Sequence, residues 1–172
     1  AIDYHLRNGG ISRFEKINHI FNNFFNSQEA QVLEKHTLKK FNSLIRKRVF
    51  NASFINGAQE FLENNYKFFK MFISTGTPQK EIVEILKFKK IYGYFDEVYG
   101  SPNKKDFHLQ EIIKKNIEKV EEYVFLGDSS SDLSVALKYN IKFIGVESKH
   151  YSFNKVTKIK DLSSLKNILE KN

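Results

Sequence analysis

Tyr123-Val124-Phe125-Leu126-Gly127-Asp128-Ser129-Ser130-Ser131-Asp132 is the stretch on which the reading of the fold turns. Four apolar residues in a row, rich in aromatic and β-branched side chains, read as a strand buried on both faces, the usual condition in a parallel sheet. Gly127 and Asp128 end the run, and Leu133 to Tyr139 then resume at helical spacing. A buried strand that passes through a polar turn into a helix is half of a βαβ unit.

The same alternation continues on either side. Phe143-Ile144-Gly145-Val146 reads as the next strand and Asp161 to Glu170 as a closing helix. Upstream, Phe68 to Ser74 is a short, dense apolar run, as in another buried strand. Thr75-Gly76-Thr77-Pro78 closes it, and Pro78 suits the first turn of a helix that Ile82, Val83, Ile85 and Leu86 continue. Phe95 to Tyr99 gives a short strand and Lys105 to Ile117 a helix. The first sixty residues differ. Phe14, Ile17, Phe21, Phe24 and Phe25 recur at helical spacing, and Val32, Leu33, Leu38, Phe41, Leu44 and Ile45 make a second helix starting near Ser27. A third covers Phe54 to Asn64. The expected class is α/β: a Rossmann-like parallel sheet core over residues 63–172, preceded by an all-helical unit over residues 1–62.

Composition narrows the function. With 41% hydrophobic and 15% aromatic residues, the chain of 172 has material for a core, which excludes disorder. It has no cysteine, which excludes disulfides, thiolate metal sites and cysteine nucleophiles, and fits a reducing cytoplasm. No apolar run approaches the ~18 residues that span a bilayer, so no membrane partner is expected. Ala1-Ile2-Asp3-Tyr4-His5 lacks the basic and apolar regions of a signal peptide. The net charge of +8 is spread through every segment, and its densest run, Arg46-Lys47-Arg48, reads as a solvated helix end. No nucleic-acid partner is expected.

In an open parallel sheet, ligands bind beyond the carboxyl ends of the strands. Three such ends carry Ser74-Thr75-Gly76, Gly100-Ser101-Pro102-Asn103-Lys104-Lys105 and Gly127-Asp128-Ser129-Ser130-Ser131-Asp132. Together they offer hydroxyl and amide donors, a cation and a pair of carboxylates. Those groups suit a phosphate and a hard divalent cation such as magnesium, which takes oxygen ligands and few protein carboxylates.

These three segments, in this order, resemble the motifs of the haloacid dehalogenase (HAD) superfamily of phosphohydrolases, over residues 66 to 150. Gly-Asp-x-x-x-Asp at Gly127 to Asp132 is the most specific of them. The helical N-terminal part is similar to the helical cap of one large subfamily, and Asn8 to Lys16 looks like a cap stretch of phosphatase-like members. The resemblance implies a magnesium-dependent phosphatase acting on a small phosphate monoester, such as a sugar phosphate, through an aspartyl-phosphate. It implies that Thr75 and the Gly76 amide hold a phosphoryl oxygen, that Lys105 pairs with the phosphoryl group, that Asp128 is a metal ligand, and that Asp132 orients it or the metal's waters. From the cap, His5, Arg13 and Lys16 are the candidates to select the substrate. The family's first motif, Asp-x-Asp with the nucleophile, occurs nowhere in these residues, and is expected upstream of Ala1. The alternatives are an inactive binding module that holds phosphate or magnesium, and a phosphotransferase or mutase on the same core.

Overall fold

A computed structural model of the chain describes residues 1–25, 27–116, 118–148 and 151–170. The expected helix end at Ile117, residues 149 and 150 of the expected resemblance, and core residues 171 and 172 lie outside the described residues, as does the side chain of Phe24. The order is α1 (Ile2–Arg7), α2 (Arg13–Phe24), α3 (Ser27–Asn51), α4 (Ala58–Asn65), β1 (Phe72–Pro78), α5 (Gln79–Phe88), β2 (Glu97–Ser101), α6 (Lys105–Lys115), β3 (Val124–Gly127), α7 (Ser130–Lys138), β4 (Lys142–Val146), β5 (Thr157–Ile159) and α8 (Leu165–Glu170). No described helix is long and apolar enough to cross a membrane.

Every described strand pairing is parallel, which confirms the α/β class. β1 pairs with β2, and β3, β4 and β5 pair in that order. Among the described residues β1 and β3 each keep one edge unpaired. The layering explains the sequence pattern. Phe125 and Phe143 point to one face, where Leu109 of α6 and Ala136 of α7 complete a core with Phe153. Leu126 and Ile144 point to the other, against Leu165 of α8, Ile159 of β5 and Phe61 of α4. Both faces of β3 and β4 are thus covered, as parallel strands require.

α2 and α3 form their own small core. Ser12 caps α2 by accepting from the Phe14 amide. Ile17 and Phe21 then bury against Leu38 and Phe41 of α3. α4 does not join them. Its Phe61 packs on the β4–α8 side, and the Asn56 carbonyl accepts from the Leu162 amide at 2.9 Å.

β2 lies two residues later than the expected Phe95 to Tyr99, and both ends of β1 differ from expectation. Phe68 and Phe69 lie outside β1 and are exposed, and the strand starts at Phe72 and runs to Pro78. The apolar run begins in the turn after α4, where the Asn65 carbonyl accepts from both the Phe68 and Phe69 amides. β1 also carries a register shift between Ser74 and Pro78. Such a bulge re-aims side chains and is common beside active sites; here it holds Thr75.

Candidate active site

The Gly127-to-Asp132 turn is fixed by one carboxylate. Asp132 is buried; its Oδ2 accepts from the Ser129 amide at 3.1 Å and from the Ser129 hydroxyl at 2.5 Å. This closes the start of α7 as a capping box. Its Oδ1 accepts from Lys105 Nζ at 2.5 Å, and Lys105 also donates to Ser131 Oγ at 3.0 Å. The turn explains its own glycine. A Cβ on Gly127 would lie 2.3 Å from the Cβ of Asp132, so only glycine lets the carboxylate fold back over the strand end.

Asp128 is the opposite case. It is exposed, and its carboxylate makes no hydrogen bond among the described residues. Only its backbone carbonyl is engaged, by Ser148 Oγ at 3.4 Å. Of the two acids, then, Asp132 is committed to Lys105 and Ser129 and Asp128 is available. Among the described residues no three His, Cys, Asp or Glu side chains are gathered for a metal. One free carboxylate at a strand end, with oxygen donors only, still fits magnesium, which commonly uses one or two carboxylates and takes its other oxygens from substrate and water.

A hydroxyl-rich loop lies at the bulge of β1. Thr75 Oγ1 accepts from the Thr77 amide at 3.2 Å, which curls the loop around its hydroxyl. Thr75, Gly76 and Thr77 line a cavity of about 170 Å³ together with Gly10, Ile11 and Arg13 of the cap. A turn of the cap lies between the two strand ends. A Cβ on Gly76 would sit 2.9 Å from the Gly10 carbonyl oxygen, and one on Gly10 would sit 2.4 Å from Ser131 Oγ and 2.6 Å from Lys105 Nζ. Gly10 has φ of 76°, a conformation that glycine adopts without strain. Thr75, Lys105 and the Ser129-to-Asp132 turn are therefore brought around one glycine turn.

Arg13 lines that cavity but is already held. It donates from Nη1 to Asn42 Oδ1 and from Nη2 to Glu81 Oε1, both at 2.9 Å. The ion pair ties the cap to α5 and is largely shielded, with side-chain exposures of 11% and 15%. Lys16 and His5 meet each other further along the cap, Lys16 Nζ to His5 Nδ1 at 3.4 Å.

His108, unremarked in the sequence, supports the site from beneath. It is 1% exposed and lies one turn after Lys105. The Gly100 carbonyl can only accept, so Nε2 carries the proton at 3.3 Å from it, and Nδ1 accepts from the Ser74 hydroxyl at 2.9 Å. The imidazole thereby links the residue before Thr75 to the strand that leads to Lys105. Burial, helped by the Lys105 charge, pushes its pKa below the ordinary 6.5. The unfolded chain therefore binds this proton first as pH falls. The stability that the neutral ring supplies is complete above about pH 6.5 and drains away as pH drops from there towards the lower folded value. Urea midpoints measured from pH 8 to 5 should fall below pH 6.5, and the His108 ring resonances should titrate below those of an exposed histidine. A ring titrating at its ordinary value would show that burial does not hold it neutral.

Sequence reasoning missed Ser129, Ser131, Asn42, Glu81 and His108. Ser129 had a legible signal, since serine three residues before an acid ahead of an apolar helix is the capping-box pattern. Asn42 and Glu81 had none, because they reach Arg13 across 29 and 68 residues of chain.

The sequence profile of the family described as haloacid dehalogenase-like hydrolase matches residues 14–146. Solved structures share the architecture. A predicted phosphatase from Clostridium acetobutylicum is 21% identical with a TM-score of 0.72, over 94% of this chain and 78% of that one. A HAD-superfamily hydrolase of subfamily IA from Geobacter sulfurreducens is 16% identical with a TM-score of 0.66, over 92% and 73%. A HAD-hydrolase from Bacillus subtilis, bound to magnesium, is 14% identical with a TM-score of 0.65, over 91% and 81%. At these identities the likeness is one of fold. Among curated proteins none matches.

Proposed function

Because this chain belongs to the haloacid dehalogenase-like hydrolase family, we propose that it is a magnesium-dependent phosphatase of a small phosphate monoester, such as a sugar phosphate, working through an aspartyl-phosphate in the cytoplasm. One observation carries this reading: the hydroxyl loop at Thr75, the Lys105 ammonium and the Ser129-to-Asp132 turn, which directly follows Asp128, gather around Gly10 at the carboxyl ends of β1 and β3. Hydroxyl, cation and carboxylate at one place are the parts that phosphoryl transfer uses for positioning and charge.

In this reading the Thr75 hydroxyl and the Gly76 amide hold a phosphoryl oxygen. Lys105 lies against the same group and draws charge from it, while Asp132 and Ser131 fix where its ammonium can go. Asp128 would hold magnesium, and when bound the ion neutralises charge on the phosphoryl oxygens. Arg13, steadied by Glu81 and Asn42, faces the part of the substrate that leaves. The nucleophilic aspartate is not among these residues. The unpaired edges of β1 and β3 support its arrival on a strand that pairs in parallel with both.

The test is release of inorganic phosphate by the full-length protein from sugar phosphates and p-nitrophenyl phosphate. Turnover should require magnesium, stop on addition of EDTA and return when magnesium is restored. No release from any ester would overturn the reading in favour of an inactive binding module, and release unaffected by EDTA would remove the metal from it.

A further inference from the structure

Lys16 is a cation without a carboxylate. It lies one turn beyond Arg13 on α2, about 4.5 Å along the helix axis from the residue that lines the phosphate cavity. Arg13 has its counter-charge in Glu81 at 2.9 Å. Lys16 has none within ion-pair distance among the described residues; its Nζ meets His5 Nδ1 and the His5 carbonyl, each at 3.4 Å. The only acid on α2, Glu15, is turned to Lys104 at 3.7 Å. Burial lowers the Lys16 pKa, the mark of an ammonium stripped of part of its water with nothing negative in return. α1 is held where it brings His5 to Lys16, because the Tyr4 ring stacks on His19 of α2 with centroids 3.8 Å apart. Removing a cation from water without a partner costs free energy, and a bound anion would recover it.

We propose that the substrate carries a second anionic group, which the cap binds at Lys16 and His5 while Thr75 and Lys105 hold the phosphate. This rests on the phosphatase reading and narrows it from small monoesters in general to dianionic ones. The three N–H donors of Lys16, with an imidazole beside them, suit a carboxylate or a second phosphate better than a row of neutral hydroxyls, which leave the charge unmatched.

Calorimetry on the full-length protein with magnesium tests it, using four probes. Methylphosphonate carries one anionic group. 3-Phosphonopropionate adds a carboxylate, ethane-1,2-diphosphonate adds a second phosphonate, and 2-aminoethylphosphonate adds a cation. At least one dianion should bind about tenfold tighter than methylphosphonate, and the amine weaker, as one charge-assisted hydrogen bond implies. Which dianion gains identifies the second group as carboxylate or phosphate. Lys16→Met should bring the ratio of dianion to methylphosphonate affinity near one, and Lys16→Arg should restore it. Equal binding of methylphosphonate and both dianions overturns this inference and leaves the phosphatase reading intact. A protein that binds none of the four probes overturns both.

Discussion

A Lys105→Met enzyme should lose stability and turnover together: about 3 kcal/mol of the first and on the order of 10²-fold or more of the second. Lys105 and Asp132 are a shielded pair, 2.5 Å apart with side-chain exposures of 11% and 7%. Removing the cation strands a buried carboxylate, the situation that makes breaking such a pair costly. The Ser129 amide and hydroxyl remain on Oδ2 and soften the loss without cancelling it. Turnover should fall for a separate reason, since the ammonium proposed to draw charge from the phosphoryl group is gone. Urea unfolding and phosphate release read the two effects independently. A Lys105→Met, Asp132→Asn double variant should recover part of the stability, because the side-chain carbonyl can still accept from the Ser129 amide without a stranded charge, and none of the turnover. A single variant with the wild-type urea midpoint would mean that the pair is not shielded from water.

Asp128→Asn should separate the two effects. Its carboxylate is exposed and bonded to nothing described, so the urea midpoint in the absence of metal should move by less than about 0.5 kcal/mol. Turnover should still fall by roughly 10²-fold or more, because charge at the phosphoryl group is then poorly neutralised. Magnesium should also raise the wild-type midpoint and leave that of the variant unchanged, since a ligand stabilises only the protein that binds it. Near-normal turnover in Asp128→Asn would refute its role as metal ligand.

The core was legible because parallel strands, covered on both faces, announce themselves as unbroken apolar runs. Val124 to Leu126 and Phe143 to Val146 fell where expected. β5 escaped because Thr157-Lys158-Ile159 is three residues long with two exposed. Phe68 and Phe69 misled for the converse reason: an apolar run extends a strand on paper, while the Asn65 carbonyl at the end of α4 captures both their amides first. At the site, the strand-end motifs pointed to Lys105 and Asp132, which pair, and to Thr75, which lines a cavity beside Gly10. What spacing could not show was how the two acids divide their work, because that depends on which oxygen Lys105 reaches. The Arg13–Glu81 pair was hidden for a plainer reason, since nothing local in either segment names the other.

The proportions of α3 have a mechanical consequence. Its 25 residues make a rod about 37 Å long, and it is clamped near one end. Lys89 donates to the Phe50 and Ala52 carbonyls, and Arg46 pairs with Glu84 on α5. A tilt of about ten degrees at that clamp would sweep the Ser27 end through about 6 Å, but would carry Asn42, nine residues from the clamped end, through only about 2 Å. Arg13 is bonded to Asn42. The Arg13–Asn42 bond thus sits near the fulcrum, where the lever amplifies least, and the long travel is left to the far tip.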